Sequence, residues 1–275
     1  MKQTVAKVIK NEQILKELER PDAQTFKRPS ARNTLGSWLI WLSCPEIAQQ
    51  AQPGQFVMVH CGEDCILPRP FSIHRVNEDS IALFFAAWEN GKGTNWLSQR
   101  NKGDKLSLFG PLGKYFSIEP NAHNLLLVAG GIGIAPLVYL AQQALSQGCS
   151  LKLLLGAPTT VQLYPQRLLP SGVKLITTTE DGSAGKRGLI TDLLPDFIGW
   201  ADQIFACGPT SMYQTMAAQK RLKTKPVQIS LEVRMGCGLG VCYGCTIKTK
   251  GGLRQVCKDG PIFDLDDVLW DESGL

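Results

Sequence analysis

No stretch of this sequence reaches the run of about eighteen apolar residues that a membrane-spanning helix needs. The longest apolar segment, Leu125 to Leu140, is broken by Gly130, Gly131, Gly133 and Pro136. It therefore reads as a strand, a turn and a helix. The opening residues contain no apolar core of signal-peptide length, so no leader is expected. Histidine is scarce. The three present, His60, His74 and His123, lie in or near predicted strands of the first half. Structural roles are expected for them, and with no Ser/His/Asp constellation no general acid–base residue is predicted. Charged residues make up only 19% against 44% hydrophobic, which fits a globular chain and excludes a disordered one. The net charge of +5 is scattered, apart from small groups at Lys27–Arg28 and Lys220–Lys225. A solvated surface explains it, and nucleic-acid binding is not inferred. There is no internal repeat and no low-complexity segment.

Cysteine, by contrast, is abundant, with nine residues. Cys237, Cys242, Cys245 and Cys257 are spaced C-x4-C-x2-C-x11-C, the pattern of a plant-type [2Fe–2S] site. Three thiolates must wrap a small cluster from one loop. Such a loop needs residues without a Cβ, and Gly236, Gly238, Gly240 and Gly244 supply them. A zinc ribbon would show two C-x2-C knuckles, and only Cys242/Cys245 makes one. Disulfides are disfavoured without a secretory signal, and ordinary buried cysteines would not share this spacing. The remaining five (Cys44, Cys61, Cys65, Cys149, Cys207) form an odd set without framework spacing. That set suits free thiols in a reducing cytoplasm.

The 275 residues suffice for two domains and a small appendage. Short strands are predicted at Thr4–Ile9, Trp38–Leu42, Phe56–His60, Arg69–Arg75, Ser80–Trp88 and Lys105–Phe109, with Thr94 or Asn95 capping a short helix. Gly/Pro punctuation between them indicates a β-barrel or sandwich over 1–118. Residues 17–36 read as a long loop. From about residue 119 strands at Asn124–Ala129, Leu151–Leu155, Val173–Thr178 and Ile204–Ala206 alternate with helical segments at 137–147, 161–169, 188–194 and 209–221. That alternation predicts a parallel α/β domain over 119–225. The last stretch, 226–275, resembles neither half and is expected to be a small iron–sulfur domain. The fold class is thus α+β and multidomain.

Three further motifs carry chemistry. The glycine turn at 130–136 follows a buried strand and opens a helix, a place where a phosphate meets free N–H groups. Its G-G-x-G-x-x-P spacing is not the Rossmann fingerprint, and a close strand–helix contact is the competing explanation of such glycines. Cys207, Gly208 and Pro209 follow a strand whose C-terminal end is where ligands sit in open α/β sheets. Arg69, Pro70, Phe71 and Ser72 combine a phosphate fork, a flat ring and a small donor.

The order R-P-F-S, G-x-G-T (Gly91, Gly93, Thr94), G-G-x-G-x-A-P and C-G-P resembles the ferredoxin–NADP reductase family over about residues 1–225. The resemblance implies that Arg69, Pro70, Phe71, Ser72, Gly93 and Thr94 hold FAD, with Phe85 and Ala86 alongside. It implies that Gly131, Gly133 and Pro136 hold NAD(P), with Cys207, Gly208 and Pro209 near the nicotinamide. The tail from Leu231 to Cys245, with C-x-D-G-P-x-F from Cys257 to Phe263, resembles the electron-transfer subunits of class 1B dihydroorotate dehydrogenase. That resemblance implies a partner catalytic subunit carrying FMN, in a heterotetramer of two copies each, within pyrimidine biosynthesis. Electrons would run from that FMN through the [2Fe–2S] cluster and FAD to NAD, with no catalytic side chain in this subunit. Sulfide dehydrogenase, ferredoxin:NADP reductase and hydrogenase subunits share the architecture; a zinc-stabilised binding module is the reading from another class. An apolar patch is expected beside Gly236–Tyr243 for the partner. Gly156 to Thr160 offers neither an acid for a ribose hydroxyl nor an arginine for a 2′-phosphate, and Arg167 lies nearby in sequence.

Overall fold

The computed structural model describes residues 2–16 and 34–271. The loop expected at 17–36 lies mostly outside the described residues, and its last positions, 34–36, are strand. The first strands are β1 (Lys2–Lys16), β2 (Thr34–Ser43), β3 (Phe56–Val59), β4 (Arg69–Asn77), β5 (Ser80–Trp88) and β6 (Lys105–Leu112). They close into an antiparallel barrel in the order β1-β2-β5-β4-β3-β6. β1 is longer than its sequence suggested because it continues past the apolar alternation as a hairpin arm, paired with β2 out to Lys16↔Gly36. Asn11 holds that arm: its Nδ2 lies 2.9–3.1 Å from the carbonyls of Leu97, Ser98 and Arg100.

Strand alternation aims the barrel in two directions at once. On β5, Ile81, Leu83 and Phe85 fill the barrel interior. Ala82 and Phe84 point the other way, into a core shared with the α/β sheet. On β3, Val57 and Val59 face inward while Phe56 and Met58 join the core beneath the C-terminal cysteines. This follows from the two-residue side-chain period of a strand.

The second half contributes β7 (Asn124–Gly130), β8 (Ser150–Ala157), β9 (Val173–Thr179), β10 (Lys186–Arg187), β11 (Gln203–Cys207), β12 (Val227–Ser230), β13 (Thr246–Thr249), β14 (Gly252–Gln255) and β15 (Ile262–Asp264). One sheet runs β10-β9-β8-β7-β11-β12-β15, and β13-β14 form a separate hairpin. The sheet is parallel except at β15, which pairs antiparallel with β12. The apolar run of β7 feeds both faces. Leu126 and Val128 join one core; Leu125, Leu127 and Ala129 join the other. Burial on both faces is why that strand is continuously apolar.

The α-helices are α1 (Pro45–Ala48), α2 (Lys92–Ser98), α3 (Leu137–Ser146), α4 (Leu194–Phe197), α5 (Thr210–Ala217) and α6 (Val256–Asp259). Helix expected at 161–169 is instead two 3₁₀ turns, Thr160–Gln162 and Gln166–Leu168. Pro165, between them, has no N–H to continue a helix. The segment at 188–194 is a 3₁₀ turn leading into α4, and that at 209–221 is α5 followed by a 3₁₀ turn at Lys220–Thr224. The stretch after 225 is less separate than its composition suggested, since β12 and β15 are strands of the α/β sheet.

Candidate functional site

A cleft of about 1180 Å³ opens between the barrel and the α/β sheet. A narrower cavity of about 210 Å³ shares its walls, among them Pro70, Phe71, Thr94 and Gly133. Arg69, Pro70, Phe71, Gly93 and Thr94 line the larger space from the barrel side; Gly131, Gly133, Gly208 and Pro209 line it from the sheet side. Ser72, Phe85, Ala86, Pro136 and Cys207 line the narrower one. All the residues singled out for flavin and nucleotide thus face one continuous space.

The barrel wall is stiff. Phe71 and Phe85 meet edge-on at 5.6 Å between ring centroids, and Trp38 stacks on Phe85. The Arg69 guanidinium donates to Leu67 O at 3.0 Å. Gly93 sits so close to Arg69 that a Cβ would lie 3.0 Å from its Cγ. α2 begins at Lys92, after Gly91, so Thr94 and Asn95 lie inside the helix and do not cap it. Thr94 Oγ1 instead donates back to Gly91 O at 3.2 Å.

On the sheet side the two glycines of the turn differ in kind. Gly131 has φ +56° and nothing within 4 Å of a Cβ position, so its backbone is open to the cleft. Gly133 answers to packing: a Cβ there would stand 2.1 Å from Cys207 O. The glycine turn and the C-G-P turn are therefore pressed together. Tyr213 fixes the second turn, donating to Ser230 O at 2.7 Å and accepting from the Gly208 N–H at 2.8 Å. Burial, followed by the Glu232 charge, pushes the Cys207 thiol up to about 12, so it remains protonated and unreactive at neutral pH.

Some lining residues were given no role by the sequence. Glu232 lines both spaces. Its accessible surface is large, yet that surface opens into the cleft, and the surrounding protein raises the carboxyl above its usual range. Glu180, at the end of β9, lines the larger cleft beside Gly156–Pro158. Trp88 lines both spaces. Trp88 and Glu180 belong to no spaced motif and Glu232 only to the Leu231–Cys245 tail, and the fold alone brings the three together. Arg167 does not line either space.

The four cysteines converge at the far end of the same wall. Leu231, Val233 and Met235 line both spaces, and Cys237 follows two residues later. Gly238 (φ +70°) presses the loop onto β3, where a Cβ would meet Met58 Cγ at 2.6 Å. Backbone N–H groups point at sulfur: Leu239 at Cys237 Sγ (3.3 Å), Gly240 at Cys257 Sγ (3.2 Å) and Cys257 at Cys245 Sγ (3.4 Å). Burial raises the Cys237 thiol, but N–H donation from Leu239, Cys242 and Val241 outweighs it and brings the thiol down to about 6. Burial, then the neighbouring Cys245 thiol, pushes Cys257 up to about 12. The Cys257 N–H on Cys245 Sγ holds these two buried residues together. Among the described residues no three His, Cys, Asp or Glu side chains gather to hold a single metal ion. Thiols at this spacing with N–H groups aimed at sulfur fit a binuclear iron–sulfur cluster better than a tetrahedral zinc. Cys242 is exposed while Cys245 and Cys257 are buried, so one side of this site faces outward. The five other cysteines are buried thiols outside any disulfide.

Comparison with known proteins agrees with this geometry. The family described as the iron–sulfur cluster binding domain of dihydroorotate dehydrogenase B matches residues 232–269. The NADH-dependent reduced ferredoxin-NADP oxidoreductase, studied for flavin-based electron bifurcation, superposes with a TM-score of 0.81 at 28% identity, covering 98% of this chain and 91% of that one. The ferredoxin reductase of carbazole 1,9a-dioxygenase shares the fold at a TM-score of 0.65 and 17% identity, covering 82% and 66%. The dihydroorotate dehydrogenase B (NAD(+)) electron transfer subunit of Desulforamulus reducens is 36% identical over 244 residues, 86% of this chain and 93% of that protein. That of Clostridium acetobutylicum is 36% identical over 222 residues, 78% and 85% respectively. By its cysteine loop, its cleft and these relatives, the chain belongs to the family of dihydroorotate dehydrogenase B (NAD(+)) electron transfer subunits.

Proposed function

We propose that this chain carries electrons between a dihydroorotate-oxidising partner subunit and NAD, in pyrimidine (UMP) biosynthesis, and itself contributes no catalytic acid or base. The observation that carries the reading is continuity. The segment Leu231–Met235 is both wall of the cleft and lead-in to Cys237, so cleft and thiol loop form one structure. Cys237, Cys242, Cys245 and Cys257 would hold the [2Fe–2S] cluster. Arg69, Pro70, Phe71, Ser72, Phe85, Ala86, Gly93 and Thr94 would hold FAD. Gly131, Gly133, Pro136, Cys207, Gly208 and Pro209 would hold the nicotinamide nucleotide. A flavin exchanges electrons singly and in pairs, which joins a one-electron cluster to a two-electron hydride carrier.

The residues of the chain bind, orient and exclude water. Arg69 offers its guanidinium to a pyrophosphate. Gly131 lets one approach the backbone. Phe71, Phe85 and Trp88 dry the space where rings would stack. Glu180 supports NAD over NADP. Among the described residues it is the one ionisable side chain on the part of the lining formed by Gly156–Pro158, Thr178, Glu180 and Gly188–Thr191, and a carboxylate is a poor neighbour for a 2′-phosphate.

The partner would dock where the cluster faces outward. Leu239, Val241 and Tyr243 are exposed there, Tyr243 to 70%. Leu67, from the β3–β4 loop, comes within 3.9 Å of a Cβ on Gly236, and its neighbour Ile66 is exposed to 93%. An apolar patch of this kind marks a protein interface. A heterotetramer with an FMN-bearing subunit, in the cytoplasm, is the assembly this reading assigns. The division into 1–118, 119–225 and 226–275 is kept as a functional one, with the cluster loop hung between β12 and β15.

The test is anaerobic expression followed by analysis of iron, sulfide and flavin. About two irons, two sulfides and one FAD per chain, with visible absorbance bleached by NADH, are expected. Zinc without visible absorbance would overturn the reading in favour of a binding module. Co-purification with an FMN subunit that oxidises sulfide or hydrogen, and not dihydroorotate, would replace the partner.

A further inference from the structure

β4 carries more than the R-P-F-S segment. Two residues beyond Ser72, where the β4–β5 register shifts between Ile73 and Arg75, lies His74, whose side chain is completely buried and meets Phe84 and Ala135 outside the barrel core that holds Phe71 and Ile73. Its Nδ1 is 2.8 Å from Ala135 O and its Nε2 is 2.9 Å from Tyr164 Oη. A carbonyl oxygen only accepts, so Nδ1 carries the proton. A neutral imidazole has one N–H, so Nε2 accepts from the Tyr164 hydroxyl. Burial above all, with the Arg75 charge adding to it, lowers the His74 pKa to about 3 against the opposing bond to Ala135. The ring is therefore neutral and its tautomer is set.

The partners matter because of where they sit. Ala135 belongs to the glycine turn and, like Ser72, lines the narrower cavity. Tyr164 belongs to the β8–β9 connection of the α/β sheet. Its ring meets Phe84 of β5 edge-on at 5.0 Å, and His74 completes the trio at 5.4 Å from Phe84. Arg75, next along β4, donates to Leu168 O in the same connection. The barrel strand is thus tied to the α/β sheet beside the cavity that both walls share.

We propose that His74 is a positioning residue: its two-sided hydrogen bond sets the separation of the Ser72 strand from the Ala135 turn, and so the distance between the flavin and nicotinamide rings. The proposal rests on the reading of the two cavities given above. Hydride transfer demands reacting atoms about 3–3.5 Å apart, and a misplacement of about 1 Å costs on the order of a hundredfold in rate. A bridge between the two walls, dry and in one tautomer, meets that demand. A second-wall hydrogen bond to a mobile surface group would not.

The test begins with ¹⁵N NMR of the anaerobically purified holoprotein. His74 should show a protonated Nδ1 and an unprotonated Nε2, unchanged between about pH 5 and 8. An Nε2–H tautomer, or a titration in that range, would overturn the bridge whatever cofactors are bound. The next readout is pre-steady-state reduction of the flavin by NADH, with the long-wavelength charge-transfer absorbance of the flavin–nicotinamide pair. His74→Leu should slow reduction about ten- to a hundredfold, leave the KM for NADH within about threefold, and weaken the charge-transfer band. His74→Asn retains a donor where Nδ1 stood, and should recover most of the rate. Tyr164→Phe removes only the hydroxyl, serves if His74→Leu fails to fold, and should slow reduction about fivefold. A lower melting temperature with unchanged reduction rate and absorbance would make the bridge merely structural and overturn the proposal. Equal impairment of His74→Asn and His74→Leu would overturn it too. Failure of the wild-type protein to bind FAD or respond to NADH would instead break the functional reading, and the NMR result would stand apart from it.

Discussion

The barrel–sheet cleft and the cysteine loop both present a site for a redox group, by opposite means. The cleft is a consequence of packing. Its walls are strands whose alternate side chains are committed to two cores, and its shape follows from where those cores place the backbone. The loop packs on β3 through Gly238 and sends Cys245 and Cys257 into the core, but its Leu239, Val241 and Tyr243 are exposed. It is held by glycines at positive φ, by Tyr243 at φ 58°, and by N–H groups turned toward sulfur. A packed wall tolerates side-chain exchange as long as volume is kept. A loop whose four thiols are the proposed ligands does not.

The comparison is broken most sharply at the loop. Cys245→Ser removes one thiol of the buried pair and should abolish cluster assembly, with iron falling toward zero per chain while flavin stays bound. Iron retained at wild-type levels would show that the buried pair is not a ligand pair. The cleft should break at Gly133 and not at Gly131. Gly133→Ala drives a methyl into Cys207 O and should cost about 3 kcal/mol or prevent folding. Gly131→Ala meets open space and should cost about 1 kcal/mol in denaturant unfolding, through its backbone conformation alone. Equal costs would mean that the two glycines serve the same purpose.

Acid sharpens the comparison from the interface side. His74 is held neutral in the fold, with a pKa near 3 against about 6.5 when unfolded. The unfolded chain binds the extra proton in that window, so stability is full above about pH 6.5 and falls as pH drops toward 3. The groups facing the ring are the Tyr164 hydroxyl, the Ala135 carbonyl and the Arg75 guanidinium, and none supplies a negative charge to rescue the protonated form. His74→Asn should flatten the stability slope between about pH 4 and 6.5, by on the order of 2–4 kcal/mol over the window. A smaller effect is expected at the rim of the cleft. Glu180→Lys should raise kcat/KM for NADPH relative to NADH about tenfold, an effect of about 1.4 kcal/mol. An unchanged ratio would place the ribose elsewhere.

Much of this was readable before any coordinates. The β7 run announced a strand buried on both faces. The glycine turn after it and the C-G-P after β11 announced the two loops of the sheet. The cysteine spacing marked the loop that the iron–sulfur domain family matches. What could not be read followed from long-range pairing. The arm of β1 is polar and pairs only because β2 returns alongside it. β12 and β15 are too short to carry a pattern, and they are strands because the sheet edge accepts them. Glu180 and Trp88 belong to no motif, and Glu232 stands in the cysteine tail without a role assigned there. They line the cleft because distant segments converge there.

The amino-acid order by itself determined the thiol quartet, the glycine turns and the class of the two large units. Each of these is set by local chemistry: ligand spacing, backbone freedom and side-chain period. Only the tertiary structure decided that Gly133 serves contact while Gly131 serves access, and that Leu231–Met235 joins the cleft to Cys237. It alone decided that His74 bridges the two walls. Those properties depend on atoms brought together from segments tens of residues apart, and such distances exist only in the packed chain.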